Sequence, residues 1–172
     1  FSFDGIKNIT SGEGGAVATK DKKVIQKIQD FRLLGVEKDS ENRYQGKRSW
    51  EFDVKEQGWR YHMSDIMAAI GRIQLKRFDN EFQQKRKALH IHYRKQLEKI
   101  EEVRLLETDI KNVTPHIMVI KVLNGKRDFV RKKLTEINIQ TGIHYKPNHL
   151  LSFYANCKVC LPVAEKLYQE LL

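Results

Sequence analysis

Phe1-Ser2-Phe3-Asp4-Gly5-Ile6-Lys7-Asn8-Ile9-Thr10-Ser11-Gly12-Glu13-Gly14-Gly15, followed by Ala16-Val17-Ala18-Thr19, is the stretch on which the reading of this chain turns. Phe1 and Phe3 alternate like the end of a strand, and Ala16 to Thr19 reads as the start of another. Between them lie one lysine and a glycine-rich turn. Gly12, Gly14 and Gly15 allow positive φ and close backbone approach, so the turn can fold back tightly beside a bound group. Lys7 stands at a strand end, walled by apolar residues. A lysine so shielded from water serves as a nucleophile toward a carbonyl. On spacing alone, a surface lysine in a β-turn explains the same pattern.

The residue string goes further. Ser2-Phe3, Lys7-Asn8-Ile9-Thr10 and Gly12-Glu13-Gly14-Gly15 closely resemble the lysine segment of the DegT/DnrJ/EryC1/StrS family. These are pyridoxal-phosphate aminotransferases acting on keto-sugars attached to nucleotides. The resemblance implies that Lys7 bonds to pyridoxal 5'-phosphate and that Ser2 is a ligand of the cofactor phosphate. Asp4 stands where many members carry His and receives no role.

The resemblance covers the chain as the second half of a family member. It implies an α/β fold, the second half of a fold-type I transferase: the end of the large-domain sheet, long interface helices and a small α+β domain. The implied divisions are 1–75 for the last part of the large cofactor-binding domain, 76–100 for a long connecting helix, and 101–172 for a small domain truncated at its C-terminus. The chain starts at Phe1 in a strand-like stretch and stops in a helix-like one, Tyr168-Gln169-Glu170-Leu171-Leu172, as a piece of a longer protein would. The family's phosphate-binding turn, its ring-stacking aromatic and the acid facing the pyridine nitrogen belong to the first half.

Two further segments carry the same wording. Gly58-Trp59-Arg60-Tyr61-His62-Met63-Ser64-Asp65 opens a helix that Ser64 can cap, with Ile66, Ala69, Ile70, Ile73 and Arg77 along one side. It resembles the family's entry into the helix that crosses the dimer interface, where residues just before the helix reach the cofactor phosphate of the neighbouring subunit. By that resemblance Arg60, where the family often has Asn, is a phosphate ligand, a role an arginine's charge suits. His62 reads as structural. Gly142-Ile143-His144-Tyr145-Lys146-Pro147 matches the segment whose histidine–tyrosine pair lies at the mouth of the active site, so His144 and Tyr145 are expected to face substrate. A structural His144 is the other reading.

The remaining chain is read from pattern. Asp21 caps a helix over 22–34 with a core stripe of Val24, Ile25, Ile28, Phe31 and Leu34, stopped by Gly35. Residues 36–58 mix Lys38, Arg43, Lys47, Arg48 and Lys55 with Tyr44, Trp50 and Phe52. Such a loop can stack on bases, hold the phosphates of a sugar nucleotide, or be solvated cover. Arg48 is the substrate-binding candidate there. From 77 to 100 a helix is expected to turn Phe78, Phe82, Leu89, Tyr93, Leu97 and Ile100 inward and Lys85, Arg86, Lys87, Arg94, Lys95 and Lys99 outward. Strands are expected at 103–106, 116–122 and 139–145, a helix at 127–138, and another opened by Pro162.

Charge and cysteines bound the function classes. The net charge of +10 permits a nucleic-acid or membrane-surface partner. The basic residues are spread along the chain, and Glu81, Glu98, Glu101 and Glu102 interrupt the run on the long helix, which speaks against nucleic acid. No apolar run reaches a membrane span. Two cysteines form no disulfide framework and suit a reducing cytoplasm. Cys157-Lys158-Val159-Cys160 is half of a zinc or redox motif, but no second CxxC exists and only His149 is at hand, so no metal is assigned.

The expectation is therefore an aminotransferase that uses pyridoxal phosphate, takes its amino group from glutamate and gives it to a nucleotide-linked keto-sugar in amino-sugar or cell-surface polysaccharide biosynthesis. It works as a cytoplasmic homodimer with shared active sites. The alternatives are a basic module that binds nucleic acid or protein, and a catalytically inactive fragment of the aminotransferase.

Overall fold

The computed structural model describes residues 1–37, 45–47, 52–156 and 159–172, and divides into two units, Phe1–Asp79 and Asn80–Leu172.

The first unit begins as a short antiparallel ladder. Phe3 N–H donates to the Gly14 carbonyl (2.9 Å), Ala16 N–H to the Phe1 carbonyl (3.0 Å), and Ser2 bridges Gly15. The two expected strands amount to isolated bridges, because a ladder grows only where a neighbouring backbone offers donors and acceptors. Helix α1 (Lys22–Phe31) starts at Asp21, whose carboxylate accepts from Lys23 N–H at 2.8 Å and Val24 N–H at 3.4 Å. It ends before the expected Leu34, because Leu34 and Gly35 take positive φ (66° and 77°) and Gly35 N–H returns to the Asp30 carbonyl. The stripe expected as core is not buried: Val24, Ile25 and Leu34 are exposed, while Ile28 and Phe31 are half-buried. Helix α2 (Asp65–Arg77) is capped by Ser64, whose hydroxyl accepts from Met67 N–H at 3.3 Å. Gly71 turns to the glycine-rich stretch, where an added Cβ would lie 3.3 Å from Ser11 Cβ. π-helical residues Phe78–Phe82 follow α2 in sequence.

The second unit carries α3 (Gln83–Leu97), an antiparallel pair β1 (Val103–Leu105) and β2 (Ile120–Val122), α4 (Arg127–Glu136), 3-10 turns at Asn148–Leu150 and Ser152–Tyr154, and α5 (Pro162–Glu170). Val103 pairs with Val122 and Leu105 with Ile120. On the other side of β2, Ile120 and Leu172 exchange two backbone bonds of 3.0 Å. Val122, 2% exposed, and Pro115 are the buried apolar side chains among the described residues.

Several expectations are corrected here. The strand at 116–122 narrows to Ile120–Val122, and the carbonyl of His116 goes instead to the Arg86 guanidinium at 3.0 Å. No strand forms over 139–145 among the described residues, and the helix from Arg127 stops at Glu136, before Asn138 with its φ of 61°. The facing expected over 77–100 holds for Phe78, Phe82 and Leu97, which are half-buried, and for Lys85, Lys95 and Lys99, which are exposed, and is reversed for the other half. Leu89, Tyr93 and Ile100 are exposed, whereas Arg86, Lys87 and Arg94 are half-buried and donate to the carbonyls of His116, Lys111 and Leu106. Carbonyls of the irregular 106–116 stretch need donors, and long cationic side chains reach them while laying their stems on the helix. These cations are therefore engaged inside the fold.

Candidate active site

Lys7 sits at the end of a tight turn. Its N–H donates to the Asp4 carbonyl (3.0 Å), and the Asp4 carboxylate accepts from Ile6 N–H (3.2 Å). Asp4, left without a role by the sequence, thus shapes the turn that carries the lysine. The Phe3 carbonyl accepts from Ser11 N–H (3.0 Å) and from the Thr10 hydroxyl (3.1 Å), lacing the turn to the glycine-rich stretch. Lys7 and Asn8 are half-buried, and Ile6 projects outward. Ser2 lies one ladder position before Phe3, its hydroxyl 3.4 Å from Asp4 N.

Two of the glycines expected beside a bound group make room for the protein itself. A Cβ on Gly14, whose φ is 132°, would run into the Met63 methyl, and a Cβ on Gly15 would stand 2.6 Å from the Phe1 carbonyl oxygen. Gly12, with φ 84°, has open space where a Cβ would be. The glycine-rich stretch and the segment before α2, distant in sequence, therefore fit together through Gly14–Met63 and Ser11–Gly71.

Arg60 is placed by backbone bonds. Trp59 N–H donates to the Phe31 carbonyl (2.7 Å), Tyr61 N–H to the Arg32 carbonyl (2.9 Å), and Leu34 N–H to the Trp59 carbonyl (3.0 Å). Trp59 and Tyr61 stack at 6.0 Å on one side of this extended segment, leaving the Arg60 side chain exposed. With Ile25, Ile28, Phe31 and Met63 they line an open, mainly apolar groove of about 900 Å³.

His144 and Tyr145 belong to the second unit, exposed, with ring centroids 4.7 Å apart and ring planes at 73°. Gly142 leaves the space that the His144 ring fills, since a Cβ there would be 2.9 Å from Cε1. Arg48, Arg43 and Cys157 lie outside the described residues. Ser2 and Lys7 thus share one hydrogen-bonded segment, Arg60 lies on a second segment of the same unit, and His144 stands beside Tyr145 in the other unit.

Sequence reasoning missed a hydrogen-bonded pair whose histidine lies four residues after Tyr145. His149, its side chain 7% exposed, places Nε2 at 3.0 Å from Glu165 Oε1, which also accepts from Leu161 N–H at 3.3 Å. The hydrogen bond from His149, then that from Leu161, holds the Glu165 carboxyl below the usual carboxylate range. An acid in the first turn of a Pro-opened helix was the available signal. His149 faces this carboxylate rather than Cys160, whose thiol is exposed.

The donor set suits the cofactor expected from the resemblance. An amine such as that of Lys7 can condense with an aldehyde, and a hydroxyl such as that of Ser2 and an exposed guanidinium such as that of Arg60 can each donate to phosphate oxygens.

The sequence profile of the DegT/DnrJ/EryC1/StrS aminotransferase family matches residues 1–172. The chain is 33% identical over 158 residues to the UDP-4-amino-4,6-dideoxy-N-acetyl-beta-L-altrosamine transaminase of Campylobacter jejuni (serotype O:23/36, strain 81-176), covering 90% of this chain and 40% of that protein. It is 34% identical over 170 residues to the UDP-4-amino-4-deoxy-L-arabinose--oxoglutarate aminotransferase of Shewanella sediminis, covering 90% and 41%. Helicobacter pylori PseC, an aminotransferase involved in the biosynthesis of pseudoaminic acid, superposes with a TM-score of 0.84 at 26% identity, over 98% of this chain and 45% of PseC. The chain spans less than half the length of these relatives, and its mixed α/β structure is part of a fold-type I transferase. With its whole length matched, this chain belongs to the DegT/DnrJ/EryC1/StrS aminotransferase family.

Proposed function

We propose that the full-length protein is a pyridoxal-phosphate-dependent aminotransferase that takes an amino group from glutamate and passes it to a nucleotide-linked keto-sugar, for amino-sugar or cell-surface polysaccharide synthesis. The observation that carries this reading is Lys7 itself, the only lysine in a segment laced by backbone bonds in which Gly14 and Gly15 leave no room for a Cβ. A half-buried lysine on a turn held by its backbone bonds has a restricted range in which its amine can meet an aldehyde. When bound, pyridoxal phosphate supplies that aldehyde and a ring that takes up electron density.

The residues of this chain do the rest. Lys7 Nζ would hold the cofactor's aldehyde, and the same amine would serve as the base and acid that moves a proton at the reacting carbon. Ser2 Oγ donates to the cofactor phosphate, and the Arg60 guanidinium adds charge for the phosphate of the neighbouring subunit's cofactor. His144 and Tyr145 face the sugar, and Arg48, with Arg43 and Lys47, serves the nucleotide diphosphate. Two copies build each site. The exposed apolar side of α2, with Ile66 77%, Ile70 47% and Ile73 55% exposed, supports a helix that packs on a partner subunit. The cysteine usage supports work in the cytoplasm.

Incubating the full-length protein with glutamate and a panel of UDP-linked keto-hexoses tests this. The reading expects 2-oxoglutarate and amino sugar to appear together, and a Lys7→Ala protein that makes neither. No transfer to any of these acceptors, with tight and steeply salt-dependent binding of nucleic acid instead, would favour the basic-module reading.

A further inference from the structure

From Gln140 to Lys146, no backbone N–H donates to a carbonyl and no carbonyl accepts from a backbone N–H among the described residues. The strap that bears His144 and Tyr145 is therefore held at its ends. Upstream, Ile139 N–H is fastened to the Leu134 carbonyl of α4 at 2.8 Å. Downstream, Pro147 opens a 3-10 turn closed by Leu150 N–H on the Pro147 carbonyl (2.9 Å). That turn is a local structure and by itself fixes the strap to nothing. His149, in the middle of the turn, points its ring at α5 and meets Glu165 at 3.0 Å with its side chain almost wholly buried.

We propose that the His149–Glu165 pair is the anchor that fixes the His144–Tyr145 strap against α5, making His149 a positioning residue for the sugar substrate. Glu165 is itself steadied by the Leu161 N–H, so the carboxylate cannot follow the ring if the strap shifts. A hydrogen bond from a buried ring to a carboxylate, here one 37% exposed, is directional and holds the ring in one orientation. His144 and Tyr145 lie within five residues of His149, on the stretch up to Lys146 that makes no backbone bond among the described residues, so this anchor is the nearest tie on their downstream side. The inference rests on the aminotransferase reading above, because only there do His144 and Tyr145 face substrate.

The full-length enzyme tests it through steady-state kinetics on a sugar-nucleotide acceptor, beside hydrogen exchange of residues 148–151. In His149→Ala the acceptor KM should rise about tenfold, while the half-reaction with glutamate stays within about twofold of wild type. Exchange at Leu150 and Leu151, whose N–H groups close the turn that carries His149, should quicken with β1 and β2 unchanged. His149→Gln, whose amide can still donate to Glu165, should recover most of the KM, and His149→Ala with Glu165→Ala should be no worse than either alone. An unchanged acceptor KM in a folded His149→Ala enzyme overturns the positioning role and leaves the aminotransferase reading intact. Equal losses in both half-reactions also overturn it, as a general structural effect. A wild-type protein that aminates no nucleotide-linked keto-sugar sinks both readings together.

Discussion

Gly35 and Gly58 pack backbone against backbone: a Cβ on Gly58 would lie 2.7 Å from the Gly35 Cα and nearer still to the Gly35 nitrogen. The obstacles are main-chain atoms, which cannot turn aside as a side-chain end can. This contact sets the extended segment bearing Arg60 against the end of α1, where Trp59 and Tyr61 exchange backbone bonds with Phe31, Arg32 and Leu34. Gly58→Ala is therefore expected to cost about 2–3 kcal/mol of stability by forcing the two chains apart. Urea unfolding measures it; an unchanged midpoint would mean the segment is free to move.

Arg127 ties the start of α4 to the end of α5. Its buried guanidinium donates from Nη1 to the carbonyls of Tyr168 (2.9 Å), in the last turn of α5, and of Leu171 (3.3 Å), just past its end, where the helix no longer supplies donors. Arg127→Met keeps the stem and removes the donors, and should destabilise the protein by about 3 kcal/mol. Calorimetry or urea unfolding checks the value.

The period of an apolar pattern tells that a face is covered without telling by what. That is why the caps at Asp21 and Ser64, the stop near Gly35 and the start at Pro162 were legible: each is a bond or clash within a few residues. The stripes on α1 and α2 were legible as apolar but not as outward-facing, since the chain holds less than half the residues of its relatives. The inward turn of Arg86, Lys87 and Arg94 was hidden because their partners are carbonyls of the 106–116 stretch, and a backbone carbonyl has no signature in a residue string. Lys7, Ser2, Arg60, His144 and Tyr145 were chosen by resemblance, because no local rule distinguishes a cofactor lysine from a turn lysine.

His90 is a buried imidazole whose two ring nitrogens have no hydrogen-bond partner among the described residues, beside a cavity of about 150 Å³ lined also by Arg86, Tyr93 and His116. Burial first, and the Arg94 guanidinium second, hold its pKa below the ordinary value. The unfolded chain then takes up the proton before the folded one as pH falls. Stability is unaffected above the ordinary histidine range, declines as pH drops through about 6.5, and levels off below the folded pKa. His90→Leu should flatten this part of the curve, measured as melting temperature between about pH 5 and 7.5. An identical pH dependence in both proteins would contradict it.

The central claim is that the amine of Lys7 bonds to an aldehyde cofactor. Borohydride reduction of the full-length protein with pyridoxal phosphate, followed by mass mapping of its peptides, reads this directly. The account predicts a pyridoxyl group on Lys7 that is absent from Lys7→Ala. A label on other lysines alone, or an equal label in the Lys7→Ala protein, would contradict it.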